Sequence, residues 1–220
     1  MISKKYIILR REEDHTTHFF QLKEGLRFVR KQRALMGLLV LTAVNNLFIM
    51  GPAIVGTPIF VREVLKRDFS AYAIVEAHMA AGMLIGSLLL WRIGREMNRS
   101  RVLFWGMVMD GLTYSLLFYI GTYPATKFLL FIHGIGIPMI TVSRTTIIQS
   151  VVPDRLRSRV FSMVSMAVIG FTALSSGLVG PLAEFIPIST IFLVIGLGAA
   201  LCGVIGLNSR GMMKIEGLRS

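Results

Sequence analysis

Cysteine is all but missing from this sequence: Cys202 is the only one in 220 residues, and it sits inside an apolar run. That excludes an intramolecular disulfide and any zinc site built on cysteines. Charge is scarce too, at 16%, where a soluble domain carries about a quarter. Acidic residues are scarcer still, 12 against 24 Lys and Arg, leaving a net charge of +12. No Gly-x-x-x-x-Gly-Lys-Ser/Thr loop is present to cradle a nucleotide phosphate, which argues against ATP-driven work. His-Glu-x-x-His and a Gly-x-Ser-x-Gly elbow are absent as well. A six-span intramembrane protease drawing on His78 or His133 and the Ser175-Ser176 pair therefore has no motif behind it. No metal or cofactor is expected. Near the N-terminus only Tyr6-Ile7-Ile8-Leu9 is apolar before charge resumes. That patch is too short for a cleaved signal peptide, so the first span is expected to direct its own insertion.

What the chain has instead is apolar length. Hydrophobic residues make up 54%, gathered into runs of about 20, the length that spans a bilayer core of about 30 Å. Basic charge on a soluble face would point to nucleic acid. Here it lies between apolar runs, so the expected partner is the lipid bilayer and not nucleic acid. The runs predict an all-α membrane protein with six transmembrane helices, near 35–61, 70–91, 102–122, 127–150, 160–180 and 186–207. The expected organisation is residues 1–33 outside the membrane, 34–207 as the six-span domain, and 208–220 as a tail. Within the first part, Phe19, Leu22, Leu26 and Val29 recur at helical spacing opposite Lys23, Arg27 and Arg30. This predicts an amphipathic surface helix at about 19–33.

Basic residues divide unevenly among the gaps. Nine precede the first span, four lie between Arg92 and Arg101, three at Arg155, Arg157 and Arg159, and three in the tail. The opposite side has only Arg62, Lys66, Arg67 and Lys127. By the positive-inside rule both termini are expected in the cytoplasm. Small residues at Gly82 and Gly86, Ala173 and Gly177, and Ala199 and Gly203 predict close helix approaches.

A polar group inside a span usually faces protein or a water-filled path. Asn45 and Asn46 fall near the middle of the first span, a few residues before Gly51-Pro52, where a kink is expected. Amides beside a kink build a substrate site in some transport proteins and are bonded to neighbouring helices in others. Glu76 is either a proton carrier or a hydrated group near the external surface; with His78 two residues on, it makes a poor metal pair. Asp110 and Arg144 fall at similar expected depths, which suggests a structural ion pair. Alternatively, Arg144 faces a cavity. His133 reads more readily as an interhelical hydrogen-bonding residue than as a proton relay.

The stretches GLRFVRKQRALMGLLVL, SVVPDRLRSRVFSMVSMAVIGF and SGLVGPLAEFIPISTIF resemble the second half of bacterial major facilitator superfamily transporters. The likeness is to the drug- and siderophore-efflux branch that includes macrolide and enterobactin exporters, and it runs from about residue 20 to about 207. The motif that carries it is the loop Pro153, Asp154, Arg155, Arg157 and Arg159, with Ser158 where the family has glycine. A weaker match is GREMNRSRVL, in which only Arg99 agrees with the family's pattern. The resemblance implies half of a twelve-helix bundle, with residues 1–33 as the remnant of a central cytoplasmic linker. It implies a bacterial inner-membrane location and proton-coupled efflux of small amphipathic compounds such as drugs or siderophores. It also implies a partner, either an N-terminal six-helix half or a second copy. A truncated or split subunit that transports nothing is the other reading. By resemblance, Arg144 lies on the cavity-lining tenth helix and Asp110 on the peripheral ninth.

Overall fold

A computed structural model describes residues 16–94 and 96–215 of the chain. The outer parts of the expected linker and tail, Arg95, and the side chains of Phe19 and Leu22 lie outside the described residues. The described residues are helical almost throughout. Helix α1 covers Thr16–Lys31, and α2 covers Arg33–Gly51. A π-helical turn at Pro52–Gly56 joins α2 to α3, Thr57–Glu63. There follow α4 (Phe69–Ile93), α5 (Arg99–Leu117), α6 (Tyr123–Val151), α7 (Asp154–Phe185), α8 (Ile188–Asn208) and the short α9 (Arg210–Met213).

Among the described residues five helical stretches are long and apolar enough to cross a membrane: Arg33–Glu63, Phe69–Arg92, Tyr123–Val151, Asp154–Phe185 and Ile188–Asn208. The sequence led us to expect six. The remaining stretch, α5, is 19 residues long and carries Arg99, Arg101 and Asp110, which lower its apolar character. It is nonetheless well buried, with Phe104, Met107 and Tyr114 sealed from solvent.

Side-chain caps set several boundaries. Asp68 accepts from Ala71 N–H at 3.1 Å and so starts α4. The Ser70 hydroxyl and that N–H hold the Asp68 carboxyl below its ordinary range. Asn98 accepts from Arg101 N–H at 2.9 Å and starts α5 three residues before the expected span. The stretch SVVPDRLRSRVFS is not a loop. Only Val152 and Pro153 separate α6 from α7, and its arginines stand on the first turns of α7. Arg157 reaches back to donate to Gln149 O at 2.6 Å and Val152 O at 3.2 Å, satisfying carbonyls at the end of α6. Arg159 pairs with Glu24 and fastens α1 to α7.

The helices form a bent row in the order α4, α6, α5, α8, α2, α7. Backbones touch where side chains vanish. A Cβ on Gly82 would strike Phe131 O, and one on Gly134 would strike Met79 O, so α4 and α6 meet face to face there. The expected approach at Ala173 and Gly177 does not occur. Gly177 has open space around it, and α7 instead meets the first span at Ser175, whose hydroxyl accepts from Gly51 N–H at 2.8 Å. Two apolar clusters make the core. One gathers Leu35, Leu38, Leu103, Phe104, Ile147 and Ile148; the other gathers Phe60, Tyr114, Leu130, Val179 and Phe192.

Gly82→Val should push α4 off α6 and cost about 1–3 kcal/mol, as overpacking does, read as a lower thermal midpoint of the purified chain in detergent. Gly177→Ala, with nothing within 4 Å of the added carbon, should not lower it.

Candidate functional site

Polar side chains that break the apolar pattern collect between the two core clusters. Asp110 lies near the middle of α5, about 16 Å from the Arg99 end at 1.5 Å per residue. It is 4% exposed. Its Oδ1 lies 3.0 Å from His133 Nδ1 on α6, a contact of charge and distance rather than an aligned hydrogen bond. Its Oδ2 accepts from Asn45 Nδ2 on α2 at 3.2 Å. His133 is 1% exposed and stands edge-on to Tyr114, with ring centroids 4.9 Å apart. Tyr114 in turn lies 3.3 Å from the Thr57 hydroxyl, just past the π-helical turn.

The neighbouring amide turns the other way. Successive residues on a helix point about 100° apart, so Asn46 faces α7, donating to Thr172 Oγ1 at 3.0 Å and Val168 O at 3.2 Å. The expected kink at Gly51 and Pro52 takes the form of the π-helical turn. The backbone stays right-handed through it, with Pro52 at φ −57° and ψ −38°. Thr57 Oγ1 donates to Pro52 O at 3.2 Å across the widened turn.

A cavity of about 460 Å³ opens beside this layer between α2, α4 and α6. Asn45, Asn46, Glu76, Asp110, His133 and Arg144 all line it, with Tyr72, Met79 and Met83 as part of its apolar wall. Five of these six were singled out for function or pairing from the sequence alone. The sixth, His133, reads from the sequence as a hydrogen-bonding residue before a proton relay. Glu76 is half-buried on α4. Arg144 stands where this cavity meets a smaller apolar one of about 200 Å³ lined by Leu26, Val29, Met36 and Phe171.

The Asp110–Arg144 ion pair does not form. Asp110 is taken by His133 and Asn45, while Arg144 has no ion pair or hydrogen bond among the described residues. Depth explains the difference. Arg144 lies about 10 Å from the Val151 end of α6, so Asp110 sits about one helical turn deeper than the pairing required. Among the described residues no group of three or more His, Cys, Asp or Glu could hold a metal ion. His78 points its Nδ1 at Ile74 O, 2.8 Å away, and not at Glu76. Pro153, Asp154 and Arg155 are exposed at the start of α7, where Asp154 pairs with Arg157 at 2.9 Å.

Residues 38–210 match the family description of the Major Facilitator Superfamily. The chain belongs to that superfamily. That superfamily is one of membrane transporters and not of proteases, so the protease alternative falls away. This superfamily member is similar to macrolide efflux protein A of Enterococcus faecalis, 26% identical over 148 residues, covering 65% of this chain and 45% of that protein. It is also similar to macrolide efflux protein A of Streptococcus pyogenes, 26% identical over 148 residues, covering 65% of this chain and 36% of that one. The chain spans less than half the length of these relatives. No solved structure matches it at a significant level.

A double-mutant cycle on folding stability distinguishes the two pairings of Asp110. Asp110→Asn with His133→Gln should couple by about 0.5–3 kcal/mol, as contacting residues do. Asp110→Asn with Arg144→Ala should be additive within about 0.5 kcal/mol, both read by chemical unfolding in detergent.

Proposed function

We propose that this superfamily member is one six-span half of a secondary transporter that exports small amphipathic compounds in exchange for protons. The observation that carries the reading is the cavity itself. It brings intramembrane polar groups from α2, α4, α5 and α6 into one space, where charge is costly unless it serves a path or a partner. Its lining suits such cargo: methionines and aliphatic side chains supply apolar surface, and Asn45, Asn46, Glu76 and Arg144 supply polar contacts. The likeness to macrolide efflux proteins supports export as the direction. In this reading α5 is the sixth span, lying among the helices with its charged residues turned to protein or to one end.

The membrane is the bacterial inner membrane, with both termini and the arginine-bearing start of α7 in the cytoplasm, as the distribution of basic residues suggests. Alternating access works by one repeat rocking against another around a shared midplane site. The cavity is therefore closed by a second body, either an N-terminal six-helix half or a second copy. A split subunit with no transport of its own is the competing reading.

Topology is tested with single cysteines at exposed positions in a Cys202→Ser background. Glu96→Cys and Ser158→Cys should resist a membrane-impermeant thiol reagent in intact cells, and Thr122→Cys should react. Reaction at either of the first two from outside would overturn the orientation. Function is tested in proteoliposomes holding the chain with its second half. Arg144→Ala should lower proton-gradient-driven export of a macrolide or dye at least tenfold with protein abundance unchanged. Export at the parent rate would remove Arg144 from the path, and no export by any assembly of the parent chain would favour the split-subunit reading.

A further inference from the structure

We infer that Asp110 and His133 together form the site that takes up and releases the transported proton, and that Asn45 conveys its state to the first span. This inference rests on the transporter reading above. It joins Asp110, which sequence alone casts in a structural ion pair, to His133, for which sequence alone favours hydrogen bonding over a proton relay.

The hydrogen-bond pattern fixes where a proton can sit. The Thr113 hydroxyl lies 2.9 Å from the carbonyls of Met109 and Asp110, to which it donates, and 3.2 Å from His133 Nδ1. With its own hydrogen committed to the backbone, it accepts from Nδ1–H. The neutral imidazole therefore carries its hydrogen on Nδ1, directed at Thr113, with the Asp110 carboxylate alongside, and Nε2 keeps its lone pair. His133 Nε2 makes no hydrogen bond among the described residues, and His133 lines the cavity. A proton arriving through the cavity binds Nε2 and converts imidazole to imidazolium. The Asp110 carboxylate, 3.0 Å from Nδ1, balances the new charge. Release returns the proton to cavity water and restores the neutral ring.

The surroundings leave this pair as the convergent point. The titratable and charged groups that share its cavity are Tyr72 and Glu76 from α4 and Arg144 from α6, and Tyr114 on α5 packs on the ring. Helix α8 has no charged residue, and α2 has only Arg33 at its far end; α2 contributes Asn45 to the pair instead. Through Asn45 the pair holds α2 before the π-helical turn. Through Tyr114 and Thr57 it contacts the first span after the turn. A change of charge at the pair thus acts on both sides of the one irregular segment of that span.

The test follows His133 directly. Replacing His15, His18 and His78 by Gln leaves His133 as the only histidine, and the nitrogen-15-labelled chain is titrated by NMR in lipid nanodiscs. His133 should change protonation state across the pH range titrated, with Nε2 gaining and losing the proton. Asp110→Asn should lower its midpoint by about one unit or more, a tenfold loss of proton affinity. Asp110→Glu should retain most of it. An imidazole that keeps one state throughout the range, or a midpoint indifferent to Asp110→Asn, would overturn the inference. The titration needs no transported compound, so it remains informative if transport itself is never found. In the complete transporter, Asp110→Asn should exchange substrate but no longer accumulate it against a gradient when a pH difference is imposed. Parent-level uphill export by this variant would remove the pair from coupling while leaving the transporter reading in place.

Discussion

Everything in the middle of this bundle follows from burying one carboxylate. Asp110 on a helix surrounded by apolar side chains is tenable only with polar partners beside it. Those partners come from two other helices, His133 on α6 and Asn45 on α2. The register of three helices is thereby tied to a single side chain. Apolar clusters fill the levels on either side, and the cavity is the space left where α4 and α6 stand away from α2.

Away from that carboxylate other forces take over. Inside a bilayer, lipid tails are as apolar as leucine, so helix association draws on close packing and polar contacts instead. The bundle uses both. Glycines let α4 and α6 come together at Gly82 and Gly134. Asn98 Nδ2 donates to Met213 O at 2.8 Å, tying the start of α5 to the short α9. Arg157 covers the open carbonyls of α6, and Glu24 with Arg159 holds α1 down.

Much of this was legible in the sequence, for reasons that differ from element to element. The long apolar runs mark their helices because a bilayer core accepts segments of that length and hydropathy. Boundaries set by capping were missed. The span at α5 was read from 102, whereas Asn98 starts the helix at Arg99. Those three residues, with Arg144 placed nearly level, made the Asp110–Arg144 pair look sound. The true partner was hidden because helix order around the bundle is a tertiary fact. The available clue was that Asp110 and His133 each fall about 10 residues into their helices. Small-residue spacing held for Gly82 and Gly86, both against α6, and failed at Gly177, because such spacing says what can approach and not what does.

The junction between α6 and α7 has a mechanical consequence. With only Val152 and Pro153 between them, and Arg157 clasping back across the gap, the joint contains no slack. It behaves as a crank rather than a hinge: tilt imposed on α6 at the level of His133 and Arg144 is handed to α7 at its base. Because Arg159 on that base grips Glu24, the same stroke reaches α1. Motion at the cavity wall would then be displayed far from the cavity, as displacement of the basic helix α1.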